Sequence, residues 1–154
     1  MTYSAEIAGA VDAFLKAEGL FYSFDEERGM FRFGMQYDGR MQKMDIAVRI
    51  RNDYFIVYAI PPLTANGCLP EMAEFIARVN YGLQNGCFEM DYEDGEVRYK
   101  VMTRCGDIDY DPESMEVIVD CGFAMLDRYG PGLLQVIYGN ANPQEACEAC
   151  EKRD

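Results

Sequence analysis

Between residues 70 and 104 the apolar positions follow first one period and then another. Met72, Phe75, Ile76, Val79 and Leu83 recur at the i, i+3, i+4, i+7, i+11 spacing of a single helical stripe. Pro70 suits a first helical position, and Glu71 and Glu74 lie near the positive end of the helix dipole. Glu74 precedes Arg78 by four residues, the favourable order for a surface ion pair. The spacing predicts a helix over 70–85, closed by Asn85-Gly86 with Gly86 left-handed after the last turn. From residue 87 the period drops to two. Asp94-Gly95 signals a two-residue type I′ turn, whose central residues both need φ > 0. That turn sets Tyr92 opposite Val97, Met90 opposite Tyr99 and Phe88 opposite Val101 on one face. The other face then pairs Asp91 with Arg98 and Glu89 with Lys100. A one-residue slip would turn the apolar set to water, so the register of a hairpin over 87–104 is well specified.

The rest of the chain reads in the same way. Ile7, Val11, Phe14 and Leu15 predict a helix over 4–18, started by Ser4 and stopped by Gly19. Phe31, Phe33, Met35 and Tyr37 alternate into Asp38-Gly39, a second type I′ signal that sets Phe33 opposite Met44 and Phe31 opposite Ile46. Asn52-Asp53 is the next turn and places Ile50 opposite Phe55 and Val48 opposite Val57. Strands 21–25, 30–37, 41–51 and 54–60 therefore form a meander, ended by Pro61-Pro62. Asp111-Pro112-Glu113 opens a helix over 112–138, with Met115, Ile118, Val119, Gly122, Met125, Leu126 and Tyr129 inward. Gly130-Pro131-Gly132 is expected to kink or break it. Asn142-Pro143 caps a short polar helix over 143–151. The fold class is α+β: an antiparallel sheet of meander 21–60 plus hairpin 87–104, with four helices. One domain over 1–140 and a short helical extension over 141–154 are expected.

Strand 54–60 is apolar on both faces. Phe55, Val57 and Ala59 point one way, and Tyr54, Ile56, Tyr58 and Ile60 the other. Either the strand lies mid-sheet with a helix or loop over its second face, or Tyr54, Ile56, Tyr58 and Ile60 form an interaction surface. Both readings stay open on the sequence.

Charge narrows the partners. Twenty-seven acidic against 14 basic residues give a formal charge of −13 over 154 residues, a field that repels nucleic acid and anionic membrane. The remaining readings of this acidity are solubility or a protein partner with a basic surface. The first residues show no basic segment followed by an apolar core, and no stretch has the apolar length of a membrane span. A cytoplasmic protein with six reduced cysteines is expected.

Chemistry is sparse. The chain has no histidine, which removes His-based nucleophile pairs, His-ligated metals and the usual base near neutral pH. No phosphate-binding glycine loop or nucleophile elbow is present. Asp107-Ile-Asp109-Tyr-Asp111 begins like a calcium loop but has Pro112 at the sixth position and Ile118 at the twelfth, where Gly and Glu are needed. Cys147-Glu-Ala-Cys150 lacks a second ligand pair and stands in a polar tail, so incidental surface thiols are expected. No catalytic, cofactor-binding or metal-ligating residue is expected.

The segment Phe75-Ile-Ala-Arg-Val-Asn80-Tyr-Gly-Leu83, followed by Gly86-Cys-Phe88-Glu-Met-Asp91-Tyr-Glu-Asp94-Gly95-Glu-Val97-Arg98-Tyr, resembles the YbjN family of bacterial sensory transduction regulators. Asp127-Arg128-Tyr129-Gly-Pro131 is similar to the close of that family's last helix. The resemblance covers about residues 5–138 and omits the cysteine-bearing tail. It implies a fold like that of type III secretion chaperones, which are small, acidic and commonly dimeric. It carries over no site residue. The function it implies is a non-enzymatic cytosolic protein-binding regulator or adaptor. The alternative is a dimeric chaperone-like protein holding extended segments of client proteins. A protein partner is expected, and a homodimer through Ile56 and its neighbours is one form it can take.

Overall fold

In the computed structural model, which describes residues 2–36, 38, 41–106 and 112–152, the first helix starts at its predicted cap. The Ile7 N–H donates to the Ser4 hydroxyl at 3.3 Å, and α1 (Ala5–Ala17) buries Ile7, Val11, Phe14 and Leu15. There follow β1 (Tyr22–Asp25), β2 (Met30–Gln36), β3 (Lys43–Ile50) and β4 (Tyr54–Ile60). After α2 (Leu69–Gly82) come β5 (Cys87–Met90), β6 (Val97–Arg104), α3 (Pro112–Tyr138) and α4 (Pro143–Glu151). The sheet is antiparallel throughout, with strand order β1-β2-β3-β4-β6-β5. Alternate residues of every strand face inward: Phe31, Phe33, Ile46, Val48, Phe55, Val57, Tyr99 and Val101 are buried with the apolar stripes of α1, α2 and α3.

The predicted registers meet three different outcomes. Between β3 and β4, Ile50 faces Phe55 and Val48 faces Val57, as the Asn52-Asp53 turn requires. Between β2 and β3, Phe33 faces Ile46 and Phe31 faces Val48, two residues away from the predicted pairing. Lys43 is the residue opposite Gln36, so the connection is longer than a two-residue turn; Tyr37, Gly39 and Arg40 lie outside the described residues. In the second hairpin, Phe88 faces Tyr99, Glu89 faces Arg98 and Met90 faces Val97, again shifted by two.

That last shift shows in the geometry of the turn and in what docks on it. Type I′ needs φ > 0 at both central residues, but only Gly95 (φ +76°) has it and Asp94 does not. Asp94 and Asp91 instead use their carboxylates, accepting the N–H of Glu96 (2.9 Å) and of Glu93 (2.8 Å). Asp91 N–H bonds the Glu96 carbonyl and leaves a four-residue loop. The segment after β4 seats on this tip, with Ala65 N–H on the Gly95 carbonyl at 2.9 Å and the Thr64 hydroxyl on that of Asp94 at 2.8 Å. A shift of two residues keeps every side chain on its face, so the core was unaffected.

α2 ends at Gly82, short of the predicted 85, with Leu83 extended. Gly86 does take positive φ (+69°), though as the turn into β5; a Cβ there would run into the Tyr99 hydroxyl and lie 2.6 Å from the Lys100 carbonyl. Asn80 ties the helix to the strand. Its Nδ2 donates to the Phe88 carbonyl (2.9 Å) and its Oδ1 accepts the Phe88 N–H (2.8 Å). Replacing Asn80 with alanine leaves both backbone groups without that partner and should lower stability by about 1–3 kcal/mol. A denaturant midpoint unmoved by the change would show that the clamp contributes nothing.

α3 runs unbroken through Pro131, where the sequence predicts a kink or break. Its flanking glycines let neighbours press close. A Cβ on Gly132 would lie 2.6 Å from the Phe75 ring and 2.9 Å from Cys150 Sγ. Tight packing on both sides offsets the hydrogen bond that proline forfeits. α4, capped by Asn142 at Gln144 N–H (2.9 Å), buries Ala146, Cys147 and Cys150 against α2 and α3. Cys147 and Cys150 are therefore core residues, at 5% and 3% exposure, and not the surface thiols the polar tail implied.

Candidate protein-binding face

β4 lies between β3 and β6, and its inward side is pressed closely by a helix. A Cβ on Gly122 of α3 would sit 2.7 Å from that of Ala59, and the Tyr129 ring meets Phe88 with 5.9 Å between centroids. α1, α2 and α3 all pack on this inward side, and α4 packs behind α2 and α3. Among the described residues no helix packs on the outward side.

Tyr54, Ile56, Tyr58 and Ile60 stand together on that outward side, as their alternation requires. Register supplies their neighbours. On β6, Arg104 lies opposite Tyr54, Met102 opposite Ile56 and Lys100 opposite Tyr58. On β3, Arg49 lies opposite Ile56, Ala47 opposite Tyr58 and Asp45 opposite Ile60, and Arg32 of β2 lies opposite Ala47. Tyr54, Ile56 and Ile60 are half-buried, and Met102 is 54% exposed. Tyr58 is more covered than its three companions, because the Arg98 guanidinium sits 4.3 Å over its ring. Arg32, Asp45, Ala47, Ile60 and Glu96 line a shallow depression of about 350 Å³ on the same face.

The electrostatics of this face divide into a satisfied and an unsatisfied part. Glu89 takes Arg98 at 2.6 Å and Lys100 at 2.5 Å. Partial burial works to raise the Glu89 pKa, but hydrogen bonds from Lys100 and Arg98 outweigh it and hold the carboxylate below its ordinary value. That stabilisation is present above the ordinary glutamate range and lost as pH falls through it. Arg32, Arg49 and Arg104 form no ion pair among the described residues, and Arg49 Nε is buried without a hydrogen-bond partner. The arginine rim escaped sequence reasoning, because β6 reaches β4 only after α2 and β5 intervene. Its local signal was the basic residues at alternate positions of 98–104.

Other features lie apart. A groove of about 530 Å³ between α2 and α4 is lined by Glu74, Arg78, Tyr81, Cys147 and Glu148 among others. Burial pushes the Cys147 thiol up to about 11, which leaves it protonated at neutral pH. Among the described residues no three His, Cys, Asp or Glu side chains stand where one metal ion could be shared. The aspartates 107–111 lie outside the described residues.

No family model matches the chain, and no curated protein sequence does. The fold does have a solved counterpart. A chain in the crystal structure of the ExsC–ExsE complex matches with a TM-score of 0.62 at 14% identity, over 84% of this chain and 94% of that one. The fold is α+β and like that of the matched chain of the ExsC–ExsE complex. No described helix is long and apolar enough to cross a membrane.

Proposed function

We propose that this chain is a non-enzymatic, cytoplasmic protein-binding regulator or adaptor of the YbjN type, and that it takes its partner on the outward face of β4. The observation that carries this reading is the composition of that face. Ile56 and the largely exposed Met102 stand side by side, with Ile60 beyond the Arg98-covered Tyr58, and no helix among the described residues packs over them, whereas the opposite face is covered by helices. Continuous apolar surface rimmed by charge is what protein interfaces use. The second reading is a dimeric, chaperone-like protein that holds extended client segments. It is favoured by the likeness to a fold found in a two-protein complex. Fold likeness alone does not fix a function.

Both readings are tested with Ile56→Lys, which points outward and should fold normally by circular dichroism. Affinity capture from the host cell should retain a partner on the wild-type chain and lose it on the variant. Signalling components among the lost proteins favour the regulator, and unfolded secreted clients favour the chaperone. Equal capture by both proteins sinks the assignment of the face. Light scattering on the same pair decides whether self-association uses this surface, since a dimer mass unchanged by Ile56→Lys excludes it.

A further inference from the structure

Resting on the reading of the β4 face as protein-binding, we infer that its occupant is an acidic, apolar stretch of a partner protein. Its apolar side chains would lie on Ile56, Ile60 and Met102 and its carboxylates on Arg32, Arg49 and Arg104. Charge complementarity carries the inference. In a chain of formal charge −13, the outward positions of the sheet bear Arg32, Lys43, Arg49, Arg98, Lys100 and Arg104 against Asp25, Asp45, Glu89 and Glu96. The face therefore has the opposite sign to the molecule that carries it. Glu89 and Glu96 together neutralise Arg98 and Lys100, whereas Arg32, Arg49 and Arg104 have no carboxylate within ion-pair distance among the described residues.

Arg49 adds an independent observation. Its Nε is withdrawn from water on a strand between Met30 and Ile56, yet donates to nothing. Buried donors are almost always satisfied, and an arginine is best satisfied by a carboxylate, which would reach this covered Nε only with a shift of the Arg49 side chain. An occupant that was apolar throughout would bury these arginines without partners, at a desolvation penalty. A basic occupant would be repelled.

Two alternatives fit less well. A second copy docked through the same face around a two-fold axis would bring like-charged arginine rims together. A nucleic acid would meet the three guanidinium groups, but also Asp25, Asp45 and Glu89 and the acidic field around them. An acidic strand or helix short enough to lie across Ile56, Ile60 and Met102 also passes Asp45, but it spans less of the surrounding acidic field than a nucleic acid does.

Fluorescence anisotropy on the full chain tests this with three labelled peptides of one length. Each alternates Leu and Phe with a second residue, which is Asp and Glu in the first, Ser in the second and Lys in the third. The acidic peptide should bind about tenfold or more tighter than the serine peptide, the lysine peptide should not bind, and added salt should weaken only the acidic one. Arg49→Ala combined with Arg104→Ala should remove that advantage with the fold intact by circular dichroism, while Arg78→Ala on α2 should leave it unchanged. Equal binding of acidic and serine peptides, both lost in Ile56→Lys, overturns the acidic occupant but leaves the face a protein-binding one. Retention of all binding by Ile56→Lys overturns both. Failure of all three peptides to bind, or displacement of the acidic peptide by a single-stranded oligonucleotide, overturns the inference.

Discussion

Replacing Tyr99 with alanine should lower the free energy of unfolding by about 3–5 kcal/mol, as for other fully buried aromatic truncations. Tyr99 has no exposed surface, and it holds together elements that are distant in the chain. Its ring meets Phe88 edge-on at 5.3 Å, while its hydroxyl donates to the Asn85 carbonyl at 2.5 Å and lies 3.6 Å from Cys121 Sγ on α3. Gly86 has no room for a Cβ because this hydroxyl occupies the space. Alanine would open a cavity and also leave the turn into β5 unanchored. Tyr99→Phe keeps the ring and isolates the hydroxyl, with an expected loss of about 1–3 kcal/mol from the unpaired carbonyl. Burial, followed by the hydrogen bond with Cys121, raises the Tyr99 pKa above the ordinary tyrosine value of 10.0. The raised value in the folded chain means a contribution complete below pH 10.0 and lost as pH climbs past it. Chemical denaturation at several alkaline pH values should therefore show a shallower decline for Tyr99→Phe than for the wild type. Parallel declines would refute the assigned role of burial.

Gly132→Leu should be the most disruptive change on the helical side. The missing side chain is what allows α2, α3 and α4 to meet, with the Phe75 ring and Cys150 Sγ both inside the space a Cβ needs. Phe75 is 1% exposed and part of the core. Overpacking of this kind costs about 1–3 kcal/mol and sometimes more. The easiest relief is to release α4, the shortest and most terminal of the three helices. Cys147 and Cys150 then report the event, since both are buried in the wild type and the Cys147 thiol is additionally held protonated. Thiol labelling under native conditions should be slow in the wild type and should accelerate at these two positions in Gly132→Leu. Labelling that stays slow, with unchanged stability, would mean that the junction can absorb the side chain.

What the sequence disclosed followed from local periodicity. The face of every residue in β2, β3, β4 and β6 was readable, because a period of two survives register errors of two. The pairings themselves depended on loops. Asn52-Asp53 obeyed its local chemistry, whereas Asp94-Gly95 did not, because the Thr64–Asn66 segment docks on that tip from thirty residues away. The burial of α4, though not its bounds, was misjudged for a related reason. Its buried stripe consists of Ala146, Cys147 and Cys150, small residues that give a weak apolar signal until the surface they contact is known. The four outward side chains of β4 were legible as a set because they share one strand. Arg32, Arg49 and Arg104 come from three different strands, and only the strand order places them around it.

That order also fixes a sequence of events during synthesis. β4 pairs with β3 at once through a short turn, but its other edge waits for β6, which emerges only after α2 and β5. Until then the strand that is apolar on both sides also has backbone N–H and C=O groups open to any other extended chain. The most adhesive part of this protein is thus the part it protects last, and the nascent chain passes through an interval in which it is vulnerable to premature partners.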